Sequence, residues 1–403
     1  MSVQWVRYLK EMGPAWVISA VACGPATLAS VSIAGATYSY AMLWVVVLSA
    51  VFGTTAQYLA AKIGIIENRG IIATTEARLG RIWAWILTLY ALLATWLAAM
   101  VLMNALAGVT SLITGINTPY WGIPYGMVIG SFLVWKGYRW FETVCKLLVV
   151  FVVTCFMATL CMADISLSGV ARGLVPNIPD GVHSAMMMAA IMGGAVHITI
   201  IGMHTYNTNA KGWNRDDLGL ARMDTILSMG LAFGSYSIAI FIVAAAVLHP
   251  NNVNVKTATD AALALKPLLG ERAMQIFLLG IWGAALSTIS PTFMAGAYFL
   301  SDKFKWQLNV KHKGFATVVF TGCALSMLGP FIKGSFFMLL PLMLALGLTG
   351  TPLIVGIILY LLNKQEIVGK DFNNPLLNIL GGLTFMITAL LAIRFVLTRI
   401  GKL

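Results

Sequence analysis

Charge is scarce in this chain, and negative charge scarcest: 14 Asp and Glu with 26 Lys and Arg make up only 10% of its 403 residues. Soluble proteins carry about 25% charged residues, and a globule of this length needs polar surface that these side chains do not supply. A cytosolic enzyme and a disordered chain are thereby excluded. The five cysteines (Cys23, Cys145, Cys155, Cys161 and Cys323) lie in or beside apolar runs without CxxC spacing, which argues against a zinc site or a disulfide framework. No HExxH, GxSxG or P-loop occurs, and no acid–base pair of carboxylates falls inside an apolar run. The reading is therefore no enzyme and no cofactor. The polar opening 1–13 leads straight into a long span, without the short h-region and cleavage site of a signal peptide.

What is present is apolar: 59% of the residues are hydrophobic. A membrane-crossing helix needs about 20 apolar residues, and such runs follow one another almost end to end. Eleven spans are predicted, near 14–38, 41–64, 84–110, 119–135, 142–163, 183–209, 225–248, 270–300, 314–332, 335–362 and 374–394. The expected architecture is an all-α integral membrane protein forming a single transmembrane domain over 1–403. With the N-terminus cytoplasmic, alternate joints on that side collect most of the 26 Lys and Arg, as cytoplasmic loops do. The C-terminus is then expected outside a cell inner (plasma) membrane. The net charge of +12 is read as a topology signal, because a nucleic-acid partner would need a clustered basic face with exposed aromatics. The expected partners are the lipid bilayer and a small inorganic ion substrate, with the chain monomeric.

Two spans contain helix-weakening residues at mid-membrane. The first holds Gly24-Pro25-Ala26-Thr27, where Pro25 lacks a backbone donor and Gly24 loosens the turn beside it. The sixth holds Gly193-Gly194-Ala195-Val196-His197-Ile198-Thr199, followed by His204 and Thr205. Five spans separate the two. A five-helix unit followed by its copy must enter the membrane from the opposite face, which predicts inverted repeats over about 14–163 and 183–362 plus an extra helix at 374–394. Secondary transporters built this way bind substrate where two broken helices meet. The plainer alternative is a proline kink and a glycine close-packing site, both common in membrane bundles.

The stretch Gly13-Pro14-Ala15, Gly24-Pro25-Ala26-Thr27, Ala34-Gly35-Ala36, Tyr40-Ala41-Met42-Leu43-Trp44 and Gln57-Tyr58-Leu59-Ala60-Ala61-Lys62 resembles the first two helices of NRAMP divalent-metal transporters. Further similarity lies in Tyr138-Arg139-Trp140-Phe141-Glu142 and in Ser287-Thr288-Ile289-Ser290-Pro291-Thr292 with Ala295-Gly296. The resemblance runs in order over nearly the whole chain. It implies a LeuT-type fold with broken helices 1 and 6. It also exposes departures. The family's first break carries Asp-Pro-Gly-Asn, and the aligned positions here are Gly24, Pro25, Ala26 and Thr27. The family's Met-Pro-His in the sixth helix aligns with His197, Ile198 and Thr199, while His204 matches a second family histidine. The Asp and Glu that the family links to proton movement align with Trp96 and Ala99.

A bare divalent ion at the midplane needs anionic or soft ligands, so loss of the family's usual substrate is expected. Half-helix N-termini attract anions. Gly24, Pro25, Ala26, Thr27, His197 and Thr199 are thus expected to bind a small anion, bicarbonate first, with the threonines and His197 as added donors. The alternatives are a divalent cation, Mg²⁺ or Mn²⁺, at a non-standard site, and a non-transporting sensor. His204, Thr95 and Trp96 are candidates for the pathway or its coupling, Trp96 chiefly as packing that closes the former proton route. Sodium coupling would draw on Ser287, Thr288 and Ser290. Each of these residues also has a structural reading: a core histidine, or threonines bonded back to their own helices.

Overall fold

The computed structural model describes residues 13–135, 164–266 and 270–401, with a few positions between 154 and 162. The described residues form helices and connecting turns without a strand. Eight of these helical segments are long and apolar enough to cross a membrane. Each expected span other than 142–163 falls on a helix or a pair of half-helices; that span lies mostly outside the described residues.

The first span is two half-helices, α1 (Pro14–Ala22) and α2 (Pro25–Tyr38), separated where Gly24 adopts an extended ψ of 177°. Pro25 starts α2 with its ring in the first turn, where a missing N–H costs nothing. A turn at Ser39–Met42 reverses the chain into α3 (Leu43–Glu67), and α4 (Ile71–Leu79) is a short helix beyond it. α5 (Arg81–Thr114) and α6 (Gly122–Trp135) complete the described part of the first half.

The sixth span is again split, into α7 (Val182–Val196) and α8 (Ile198–Lys211). Its break is at His197, with φ −62° and ψ 135°, and the expected weak point at Gly193-Gly194 is helical. Those glycines serve close packing: a Cβ on Gly193 would sit 2.3 Å from the Leu344 carbonyl oxygen, and one on Gly194 would sit 2.6 Å from Thr27 Oγ1. The seventh span runs from α9 (Leu218–Thr225) through π-helical turns at Ile226–Phe233 into α10 (Gly234–Val243). α11 (Ala273–Lys303) lies along α5, and α12 (Lys313–Ser326) packs on both.

A third break was not foreseen. The span expected as one helix over 335–362 consists of α13 (Phe336–Leu348) and α14 (Thr351–Leu362). Thr349 and Gly350 keep right-handed helical dihedrals between them, so the chain is kinked here where Pro352 lacks an N–H. Gly350 leaves room for the Tyr90 ring, which a Cβ would approach to 2.2 Å. Pro352 then opens α14. Thr351 donates its hydroxyl to the Val196 carbonyl at the end of α7, so the second and third breaks are tied together. The last helix is α15 (Pro375–Arg399), capped by Asn374 through a 2.8 Å bond from Leu377 N–H.

Candidate functional site

The first two breaks face one another across a cavity of about 40 Å³. Gly24, Ala26 and Thr27 line it from the first, and Gly194, His197 and Thr199 from the second. α11 adds Thr288 and Thr292, while Met343 of α13 and Ala98 and Leu102 of α5 close the sides. Of the residues expected at the site, Pro25 lies just outside the lining. Thr292 and Met343 carried no functional reading in the sequence; the Ser/Thr cluster at 287–292 was the available signal for the former. Met343 had none. No Asp, Glu, Lys or Arg side chain lines the cavity, His197 being the one titratable imidazole there, and among the described residues no three His, Cys, Asp or Glu are grouped to hold a metal.

The hydrogen bonds decide what the wall offers. Thr27 donates its hydroxyl across the first break to the Ala22 carbonyl at 2.6 Å. Thr288 donates to Ala284 O at 2.8 Å and Thr292 to Thr288 O at 2.7 Å. His197 Nδ1 accepts the Thr199 N–H at 3.3 Å and lies 2.8 Å from Thr199 Oγ1. A backbone N–H can only donate, so the Thr199 N–H fixes Nδ1 as an acceptor. Nε2 therefore carries the ring proton, Nδ1 is the acceptor, and Thr199 is the donor to it. All four threonine hydroxyls donate within the protein, so none is left as a donor to the cavity.

This corrects the donor roles expected of Thr27, Thr199 and His197. Threonine reaches the preceding-turn carbonyl by its own geometry, and His197 is spent as the cap of α8. The N–H groups of Ile200 and Ile201 also turn to the His197 carbonyl, at 3.1 and 3.2 Å. The start of α8 thus has few donors left for an anion. The ring is wedged as well: a Cβ on Gly347 would lie 1.6 Å from His197 Nε2.

The three pathway candidates lie away from the cavity wall. His204 is fully buried on α8 with Nδ1 3.1 Å from Gln57 Oε1 of α3, and its Nε2 and the Gln57 amide nitrogen have no hydrogen-bond partner among the described residues. Thr95 bonds back to Ala91 O at 2.6 Å and packs against Gly296. Trp96 faces Gly322 of α12, where a Cβ would meet Nε1 at 3.5 Å. It is packing between α5 and α12.

Charge is concentrated instead where α4 meets the end of α11. Asp302 accepts from the Ala73 N–H and the Tyr206 hydroxyl, both at 2.9 Å. Lys303 donates to Glu76 at 2.7 Å, and Arg78 to Glu67 at 2.8 Å. The Lys303 hydrogen bond holds the Glu76 carboxyl below the usual carboxylate range.

The model of natural resistance-associated macrophage protein-like proteins matches residues 15–398. The divalent metal cation transporter MntH of Yersinia pestis (strain Pestoides F) is 29% identical over 299 residues, 72% of this chain and 71% of its own. The Eremococcus coleocola manganese transporter superimposes with a TM-score of 0.81 at 15% identity, over 100% of this chain and 92% of that one. MhsT, solved with L-phenylalanine, superimposes with a TM-score of 0.62 at 14% identity, over 96% and 98% of the two chains. These two likenesses speak for the fold alone.

Proposed function

The chain belongs to the Nramp family, and from that membership and the chemistry of its cavity we propose that it carries a divalent cation, Mg²⁺ ahead of Mn²⁺, which keeps part of its water shell. It is a multi-pass secondary transporter of the LeuT type. The observation that carries the substrate reading is the orientation of the four threonines: every hydroxyl proton is engaged inside the protein, so the wall presents oxygen acceptors. Acceptors suit a cation. The printed activity of the relative, divalent metal cation transport, agrees in sign of charge.

Four threonine hydroxyls in an otherwise apolar lining, with His197 Nδ1 engaged by Thr199, offer few ligands, and Mg²⁺ retains waters where protein ligands are few. A buried water needs about 10–15 Å³ of such space. The cavity of about 40 Å³ therefore holds an ion with one or two waters, and the rest of the shell is shed or regained as the bundle opens. Alternating access by rocking of the two inverted repeats, 14–163 and 183–362, supplies that opening. The N-terminus faces the cytoplasm in this reading, the C-terminus faces outward, and one chain is the working unit. His204, paired with Gln57 behind the cavity, is the group proposed to link transport to pH.

A small anion such as bicarbonate is the second reading, favoured by one feature. Gly24 caps α2 without a side-chain bond, which leaves the Ala26 and Thr27 N–H groups as donors at a helix start. Titration calorimetry on the purified chain separates the two. Saturable heats with Mg²⁺ or Mn²⁺ and none with bicarbonate are expected; the reverse pattern overturns the cation reading.

A further inference from the structure

Away from the substrate cavity, a crevice of about 420 Å³ lies where α3, α9 and α15 meet. Its chemistry is graded along all three helices. On α3, Val51 gives way to Tyr58 and then Lys62 towards the helix end, while on the seventh span Arg222 precedes Ile226. α15 begins beside Asn374 and continues with Leu376 and Leu380 into the crevice. Cations and polar groups therefore gather at one mouth, on the side of the bundle where α1 begins, and aliphatic walls run from there towards mid-membrane. The π-helical turns at Ile226–Phe233 form part of that wall through Ile226 and Gly230, and π-turns occur often at functional sites.

Lys62 is only 4% exposed, and its ammonium donates to the Asn373 side-chain oxygen at 2.8 Å. That partner is neutral. Among the described residues no carboxylate forms an ion pair with Lys62 or Arg222, and Asp371, the acidic group whose field reaches Lys62, is bound to Arg215 at 2.8 Å. A buried ammonium with unused donors is costly unless an anion completes it. Basic pockets between transmembrane helices on the cytoplasmic side suit anionic headgroups, and the aliphatic walls suit acyl chains. We propose that this crevice binds an anionic phospholipid, its phosphate between Lys62, Arg222 and the Tyr58 hydroxyl and its chains along Val51, Ile226 and Leu380.

Native mass spectrometry of the purified full chain tests this, comparing phosphatidylglycerol with phosphatidylcholine of the same acyl chains. Phosphatidylglycerol is expected to be retained at least about tenfold better, and Arg222→Gln to weaken it roughly fivefold, the effect of about 1 kcal/mol per basic residue. Lys62→Gln added to Arg222→Gln is expected to remove the preference. Arg222 is exposed, so its single variant carries the test if the Lys62 change impairs folding. Equal retention of the two lipids, or an unchanged preference in Arg222→Gln, overturns the proposal. Displacement by glycerol phosphate at equal concentration also overturns it, because the site then reads phosphate without the chains.

Discussion

Around Gly24 and His197 the wall carries no formally charged side chain, whereas the rim formed by α4 and the end of α11 is held by Lys303 on Glu76 and Arg78 on Glu67. A carboxylate at the membrane midplane is costly and marks an ion path when present; at the rim, buried Glu67 and Lys303 are each paired with a partly exposed partner, Arg78 and Glu76. The chain thus places ion pairs where helices meet at the edge and leaves its centre to lone pairs and peptide dipoles. Selectivity at the centre then depends on which way each hydroxyl and ring nitrogen points. A small change of bonding there should matter more than loss of a full charge at the rim.

The sharpest way to break this contrast is Gly347→Ala, which forces a Cβ to within 1.6 Å of His197 Nε2. Overpacking of this kind costs about 1–3 kcal/mol, and uptake should fall at least about tenfold. Adding His197→Ala should recover part of the stability by relieving the clash, as read in thermal unfolding. Next in size, Thr27→Val removes one cavity oxygen and the bond to Ala22 O while keeping the shape. Cation affinity should drop roughly tenfold, about 1.4 kcal/mol and close to the lower end for a bond to a charged group, and Thr27→Ser should restore it in calorimetry.

His204→Ala should leave affinity within about twofold, since His204 lies outside the cavity, yet flatten the dependence of uptake on pH. An unchanged pH profile rules it out as the coupling group. The smallest effect is expected at the rim. Because Glu76 titrates below its ordinary range when folded, its bond to Lys303 stabilises the fold above the ordinary carboxylate range and fades as pH falls through the lowered value. Lys303 is buried and Glu76 partly exposed, but the Gln amide oxygen still accepts from the ammonium, so Glu76→Gln should lower stability by about 1 kcal/mol near neutral pH, and the difference should shrink in strong acid.

The first break was legible because Gly24 and Pro25 weaken the helix side by side, whereas the single prolines Pro291 and Pro341 sit inside continuous helices. The second was read within 193–199 with His197 inside it, and it falls at His197, but the glycines of that stretch do not cause it. Glycine in a membrane helix serves close approach as readily as unwinding, and Gly193 and Gly194 are helical against Leu344 and Thr27. His197 breaks the span because its ring caps the following half, a role no pattern of hydropathy reveals. At the third break, Gly350 and Pro352 were visible, but the ring of Tyr90 that fills the glycine's space comes from a distant helix. The donor roles first assigned to Thr27 and Thr199 failed for a similar reason. A threonine's composition gives both a donor and an acceptor, and only the preceding carbonyl decides which one is left.

The central claim concerns the sign of the charge that crosses. Currents from proteoliposomes adsorbed on a solid-supported membrane report that sign directly. A jump in external Mg²⁺ should drive positive charge inward, saturate, and weaken in Thr27→Val, while a bicarbonate jump should give no current above protein-free vesicles. A saturable bicarbonate current of inward negative charge, with none for Mg²⁺ or Mn²⁺, would contradict the account.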